Sequence, residues 1–110
     1  MPTDKTGAEA TVTPADGKYT VAVDGQTVGL TAFADRNGQR VFYHTEVDPQ
    51  YGGRGLATIV IGEALKATRA DGKRIVPVCP TVADYVKKHP EFAEITDKPT
   101  PDILRWVETV

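Results

Sequence analysis

Cysteine is all but missing: Cys79 is the single thiol in 110 residues, so no internal disulfide framework can form. With only two histidines beside it, a Cys/His zinc site finds too few ligands, and no metal is expected. A chain built without disulfides is expected in a reducing compartment. An excess of positive charge is missing as well. The formal net charge of -2 leaves nothing to hold nucleic acid or an anionic membrane, and the expected partner is small. Long apolar runs are also lacking. The start, MPTDKTGAEATVTPADG, carries no signal-type apolar core, and no later stretch approaches the roughly 18 apolar residues of a membrane span. These absences lead to the expectation of a soluble, cytoplasmic protein.

What is present suits a single domain: 40% hydrophobic and 25% charged residues are ordinary globular proportions. Residues 1–10 are small and polar, too poor in apolar surface to offset the entropy of ordering them, and read as a flexible tail before a domain over 11–110. From Thr11 the pattern turns to β-prone runs separated by turn dipeptides: Lys18 to Val23, Asp24-Gly25, Thr27 to Ala34, Asn37-Gly38, and Arg40 to Val47. Asp-Gly and Asn-Gly suit two-residue hairpins, whose central positions need positive φ. Three antiparallel strands follow. The third, with Val41 and Phe42 both apolar, reads as a strand covered on both faces. A period of two then sets His44 and Glu46 on one face with Phe42, and Thr45 and Val47 on the other.

Arg54 to Ala70 carries Leu56, Ala57, Val60, Ile61, Ala64, Leu65 and Ala67 at helical spacing, and Gly72 is a natural stop. Ile75 to Val78 predicts a short strand, reached by a right-handed crossover and so parallel to Arg40–Val47. Pro77 within it removes a ladder donor, which suits an edge or a place where pairing has stopped. A second helix opens at Thr81 and ends before Pro90. Over Glu94 to Val110, which contains Pro99, Pro101 and Trp106, helix and strand both remain open.

Glu46-Val47-Asp48-Pro49-Gln50-Tyr51-Gly52-Gly53-Arg54-Gly55-Leu56-Ala57 carries the chemistry: a strand end passing through a glycine-rich turn into a helix. Glycines bare their N–H groups, the helix start adds unpaired donors and the positive end of its dipole, and phosphate oxygens are the complement. A merely tight turn is the plainer alternative. A P-loop is excluded by the missing Gly-Lys-Ser/Thr, and Gly-x-Gly-x-x-Gly is absent.

Gln50-x-x-Gly53-x-Gly55-Leu56-Ala57 resembles the Gln/Arg-x-x-Gly-x-Gly/Ala acyl-coenzyme A motif of the GCN5-related N-acetyltransferases, the GNAT superfamily. Thr45-Glu46-Val47, Arg69 to Lys73, Ile75 to Cys79 and Tyr85 to Phe92 are similar to its minimal, YjdJ-like members. The similarity spans Gly17 to Phe92. It implies an α/β fold of one GNAT-like domain: a mixed, mostly antiparallel sheet with a splayed parallel strand pair and two main helices. It implies acetyl-coenzyme A as co-substrate, with Val47 ending the strand that lines pantetheine. Backbone N–H groups from Gly53 to Thr58 would hold the pyrophosphate, flanked by Gln50 and Arg54. The implied cofactor set is thus Thr45, Val47, Gln50, Gly52, Gly53, Arg54, Gly55, Leu56, Ala57 and Thr58.

Acetyl transfer needs a polarised thioester carbonyl, a base for the amine and an acid for the thiolate. Backbone N–H near Thr45 to Val47 would serve the first need, and Glu46 or His44, as base, the second. Glu46 as a strand-end cap and His44 as a packed aromatic are the structural alternatives. Tyr85 resembles the tyrosine that many family members use as the acid; a core tyrosine is its alternative. Cys79, just before a helix start where a thiolate is favoured, matches a cysteine considered in the minimal members as an acetyl acceptor, against a plain buried thiol. Arg54, Lys66, Arg69, Lys73 and Arg74 would attract the negative cofactor, and Lys87, Lys88 and His89 would meet its adenosine end or simply face solvent. The expected activity is N-acetyl transfer to a primary amine, of a small molecule or a protein lysine. The alternative is a non-enzymatic coenzyme A or acyl-coenzyme A binding regulatory module.

Overall fold

The structure is a computed structural model and describes Gly7 and residues 9–110; most of the expected tail therefore lies outside the described residues. One mixed sheet has strand order β1-β2-β3-β4-β5, from Ala10–Ala15, Lys18–Val23, Gln26–Arg36, Gln39–Val47 and Arg74–Pro77. The first four strands are antiparallel and β5 runs parallel to β4. Helix α1 (Leu56–Ala70) joins β4 to β5, α2 (Pro80–Lys88) follows β5, and α3 (Pro101–Val107) closes the chain.

The hairpins form where the dipeptides stand. Asp24 (φ 53) with Gly25 (φ 80), and Asn37 (φ 52) with Gly38 (φ 76), both hold the left-handed pair that matches strand twist. The edge strand β1 adds a fourth antiparallel strand to the three expected. Ala10, placed at the end of the tail by composition, begins it and is fully buried. Pro14 sits on this outer strand opposite Tyr19, the position where a missing N–H costs no ladder bond.

The main core lies between α1, α2 and one face of the sheet. Leu56, Val60, Ile61, Ala64 and Leu65 of α1 pack with Val21, Val23, Phe42, Ile75, Val82 and Phe92. At Gly62 the two helices come close. A Cβ there would meet the Tyr85 hydroxyl at 2.7 Å, so only glycine admits the ring.

A bulge changes the reading of β4. Ala32 pairs with His44 while Phe33 pairs with Phe42, leaving Tyr43 as an extra residue. The alternation is reversed across it. Phe42, Thr45 and Val47 face α1, whereas His44 and Glu46 face the opposite side with Val41; the expectation that they share a face with Phe42 is corrected.

Arg40 is buried at the far end of the sheet. Its guanidinium donates to both Asp35 oxygens (2.9 and 3.2 Å), to Asp71 (3.1 Å) and to the Tyr19 hydroxyl (2.7 Å), and stacks over Phe33. Its hydrogen bonds to Asp35 hold it charged, and the network ties the end of α1 to β2, β3 and β4.

The segment left open by sequence becomes a strap. After the 3-10 turn Pro90–Ile95, Thr96 bridges Ile75 and the Asp97 N–H donates to the Ile75 carbonyl (2.8 Å), covering the outer edge of β5. The Asp97 carboxylate accepts from Arg74 Nε (2.8 and 2.9 Å) and from Gln39 (2.9 Å). Helix α3 then lays Ile103, Trp106 and Val107 on Val41 and Val76. Thr100 caps it, and Arg36 bridges to Asp102 across the Trp106 ring. No helix among the described residues is long and apolar enough to cross a membrane.

The Arg74 and Gln39 hydrogen bonds hold the Asp97 carboxyl below its ordinary range. Its contribution is therefore present above the ordinary carboxylate pKa, about 4, and is lost as pH falls through the lower folded value. Asp97→Asn should melt below wild type at pH 7, by less than about 1 kcal/mol because the pair is solvated. The difference should close in acid; a difference independent of pH would place the anchoring of the strap elsewhere.

Candidate active site

Pairing between β4 and β5 runs from Gln39 with Arg74 to Phe42 with Pro77, and is followed by one bond from the Cys79 N–H to the Phe42 carbonyl (2.8 Å). The strands then part. Pro77 stands where the ladder stops, as the sequence anticipates, and Tyr43 to Val47 continue with β3 alone. The Asp48 N–H donates to the Val28 carbonyl (2.7 Å), so Asp48 turns its backbone toward β3. In an antiparallel ladder that direction alternates. Thr45 and Val47 consequently turn their N–H and C=O groups into the opening left by β5.

At the end of β4, Asp48 caps a 3-10 turn, Pro49–Tyr51, accepting the Gln50 N–H on its carboxylate (3.0 Å). The Tyr51 N–H goes to the Asp48 carbonyl (2.8 Å) and that of Gly52 to Pro49 (3.2 Å). Gln50, Tyr51 and Gly52 thus spend their amides within the turn. Beyond them the pattern changes. Gly53 (φ 77) and Gly55 (φ 78) reverse the chain into α1, whose first bond from outside the helix is Ile59 N–H to Gly55 (3.1 Å). Among the described residues the N–H groups of Gly53, Gly55, Leu56, Ala57 and Thr58 have no acceptor. They cluster at the positive end of a 15-residue helix, an arrangement suited to an anion. A Cβ on Gly53 would meet nothing within 4 Å, so the concavity is open. Arg54 lies over the Tyr51 ring, 4.8 Å from its centroid.

The four expected catalytic residues fall in three places. His44 and Glu46 form one pair, Nε2 to Oε2 3.2 Å, on the face away from α1, and both side chains are exposed. Cys79 is buried where β4 and β5 part, its thiol donating to the Thr45 hydroxyl (3.5 Å), which is 2.9 Å from the Thr31 hydroxyl. Tyr85 lies over Gly62 between α1 and α2, stacked on His89 at 3.8 Å. It lines two clefts there, of about 180 and 200 Å³, each shared with Thr58.

Burial raises the Tyr85 phenol above its ordinary value, and Glu91 and Glu63 add to this. It stays protonated, as an acid must. For Cys79, burial pushes the thiol up, but the hydrogen bond with Thr45 and the N–H groups of Val82 and Thr81 at the start of α2 outweigh it, and the thiol lies below its ordinary value. Thr31 is the member of this chain that the sequence reading missed; a buried threonine on the core face of β3 is the signal that was available.

Most of the expected cations are committed elsewhere. Arg69 covers Phe92, Lys73 reaches Asp35 (3.9 Å), Arg74 holds Asp97 and Lys88 pairs with Asp84 (3.3 Å). Among the described residues no group of three or more His, Cys, Asp or Glu side chains is placed to hold a metal.

The site is a split pair of parallel strands with a glycine turn and a bare helix start at its mouth. The pattern of the GCN5-related N-acetyl-transferases matches residues 18–95, and the chain belongs to that family. The solution structure of a GCN5-like candidate N-acetyltransferase from Staphylococcus aureus superposes with a TM-score of 0.64 over 83% of this chain and 91% of its own, at 14% identity; at that identity the likeness is one of fold. No curated protein matches the chain in sequence.

The hydroxyl chain makes a prediction for Cys79. Thr45→Val should move the thiolate absorbance titration to higher pH. Thr31→Val, which reaches sulfur only through Thr45, should move it less. An unchanged titration in Thr45→Val would assign the lowered value to the start of α2, through the Thr81 and Val82 amides and the Thr81 hydroxyl.

Proposed function

We propose that the protein transfers the acetyl group of acetyl-coenzyme A to a primary amine, and that it is one of the minimal, YjdJ-like members of its family. The observation that carries this reading is the set of five acceptor-free N–H groups, Gly53 and Gly55 to Thr58, beside an opening lined by the backbone of Thr45 and Val47. The residues fit the co-substrate: bare amides at a helix start suit a diphosphate, and a strand edge without a partner suits an amide-bearing arm. Gln50 and Arg54 flank the diphosphate, and Tyr85 shares the adjoining clefts between α1 and α2 with Thr58. When bound, the co-substrate supplies an acetyl thioester.

The chain's own residues do the remainder. The Thr45 and Val47 N–H groups, aimed into the opening, polarise the acetyl carbonyl by hydrogen bonding. Glu46, assisted by His44, takes a proton from the incoming ammonium directly or through water. The amine nitrogen bonds to the carbonyl carbon and sheds its second proton to solvent as the carbon–sulfur bond breaks, and the electron pair leaves on sulfur. Tyr85 returns a proton to that sulfur and recovers its own from solvent, so that the products are an amide, a thiol and one proton. Cys79 is held at the foot of the opening by Thr45; if it relays the acetyl group, Cys79→Ala abolishes single-turnover transfer, and if the amine attacks directly, the variant retains it.

Calorimetry with coenzyme A tests the phosphate site. Gly53→Val adds a side chain whose Cβ meets no protein atom within 4 Å and which occupies the concavity, at a backbone cost of about 1–2 kcal/mol. It should weaken coenzyme A binding at least about tenfold, the worth of a lost charge-assisted hydrogen bond. Equal binding by the variant would remove the assignment. Binding without the appearance of free thiol when amines are supplied would identify a regulatory module instead of an enzyme.

A further inference from the structure

A cavity of about 420 Å³, larger than either cleft between α1 and α2, opens where β3 begins and β4 ends. Its walls include Val28, Leu30, Val47 and Pro49, which are apolar, and its charged residues are Glu46 and Asp48. No lysine, arginine or histidine lines it; the nearest titratable neighbour of Glu46 is His44, 3.2 Å away. Asp48 uses Oδ1 for the Gln50 N–H and pairs with no cation among the described residues. Two negative charges therefore share an apolar concavity with no compensating charge in its wall. Glu46 and Asp48 are two apart along extended backbone, roughly 6.6 Å, and on the same side. That is a span a four- or five-carbon chain bridges.

We propose that this cavity is the acceptor site and that it selects a short aliphatic diamine, with one ammonium at Glu46, the methylenes against Leu30, which pairs with Glu46 across β3 and β4, and the second ammonium at Asp48. The proposal rests on the acetyl-transfer reading for its role as an acceptor site; the recognition of the diamine does not. Glu46 and Val47 border both the cavity and the opening between β4 and β5, so the amine held at Glu46 is the one offered for transfer. A monoamine fills the apolar wall but leaves Asp48 without its cation. A peptide lysine does the same and must also fit its own backbone.

The test is an amide-detected nuclear magnetic resonance titration of the whole chain, without coenzyme A, using 1,4-diaminobutane, butylamine and a lysine-containing peptide. The diamine is expected to shift the amides of Gly29, Leu30 and Val47 and to bind about fivefold more tightly than butylamine, the worth of one solvated ion pair. Asp48→Asn keeps an acceptor for the Gln50 N–H and should abolish that preference; raising ionic strength should shrink it in the unaltered protein. Equal binding of diamine and butylamine, tighter binding of the peptide, or shifts confined to other regions overturns the proposal. Diamine binding by a protein that calorimetry shows not to bind coenzyme A overturns the role as acceptor site and the acetyl-transfer reading together. Coenzyme A binding with transfer to other amines, but no preference for the diamine, overturns this inference alone.

Discussion

A central strand that loses one neighbour partway along its length imposes the constraint from which the rest of this molecule follows. Backbone amides and carbonyls need partners, and β4 has them on both sides only as far as Phe42, where the Cys79 N–H makes the last bond from the β5 side. Past that point Thr45 and Val47 face an opening. The same chain then leaves the sheet through a turn whose early amides are paired and whose later ones are not. Two sets of unused donors, one on a strand and one at a helix start, are brought to a single end of the sheet.

The bulge at Tyr43 divides the labour around this opening. Without it, His44 and Glu46 would point into the packed layer beneath α1. With it, Thr45 meets Cys79 and Thr31 on the helical side while the His44–Glu46 pair stays in water on the other. The backbone of one strand thereby separates a buried hydroxyl–thiol chain from an exposed acid–base pair. Arg40 holds the opposite end of the same strand rigid by tying it to α1 and two other strands.

Much of this was legible. Asp24-Gly25 and Asn37-Gly38 announced their hairpins because few other residues tolerate positive φ twice in succession, and Pro77 announced the end of pairing because it carries no donor. The glycine turn could be read as a donor array from Gly53 onward. Its first part could not, since the capture of the Gln50 amide by Asp48 depends on how the turn closes. The bulge left no mark in Val41-Phe42-Tyr43-His44, where one inserted residue inverts every later side chain without altering the hydrophobic pattern. Strand β1 was hidden by Pro14 and its threonines, acceptable only because the strand is outermost. The strap depends on long-range partners, Thr96 with Ile75 and Asp97 with Arg74, which no local pattern encodes.

Pro14 and the Thr96 strap have a joint effect on how this sheet meets other chains. One rim carries a proline and the other is overlaid by the protein's own carboxyl-terminal segment, so neither offers the uninterrupted row of main-chain groups on which amyloid-like stacking grows. The vulnerable stretch is interior, at Thr45 and Val47, and a ligand seated there would also shield the fold from self-templating.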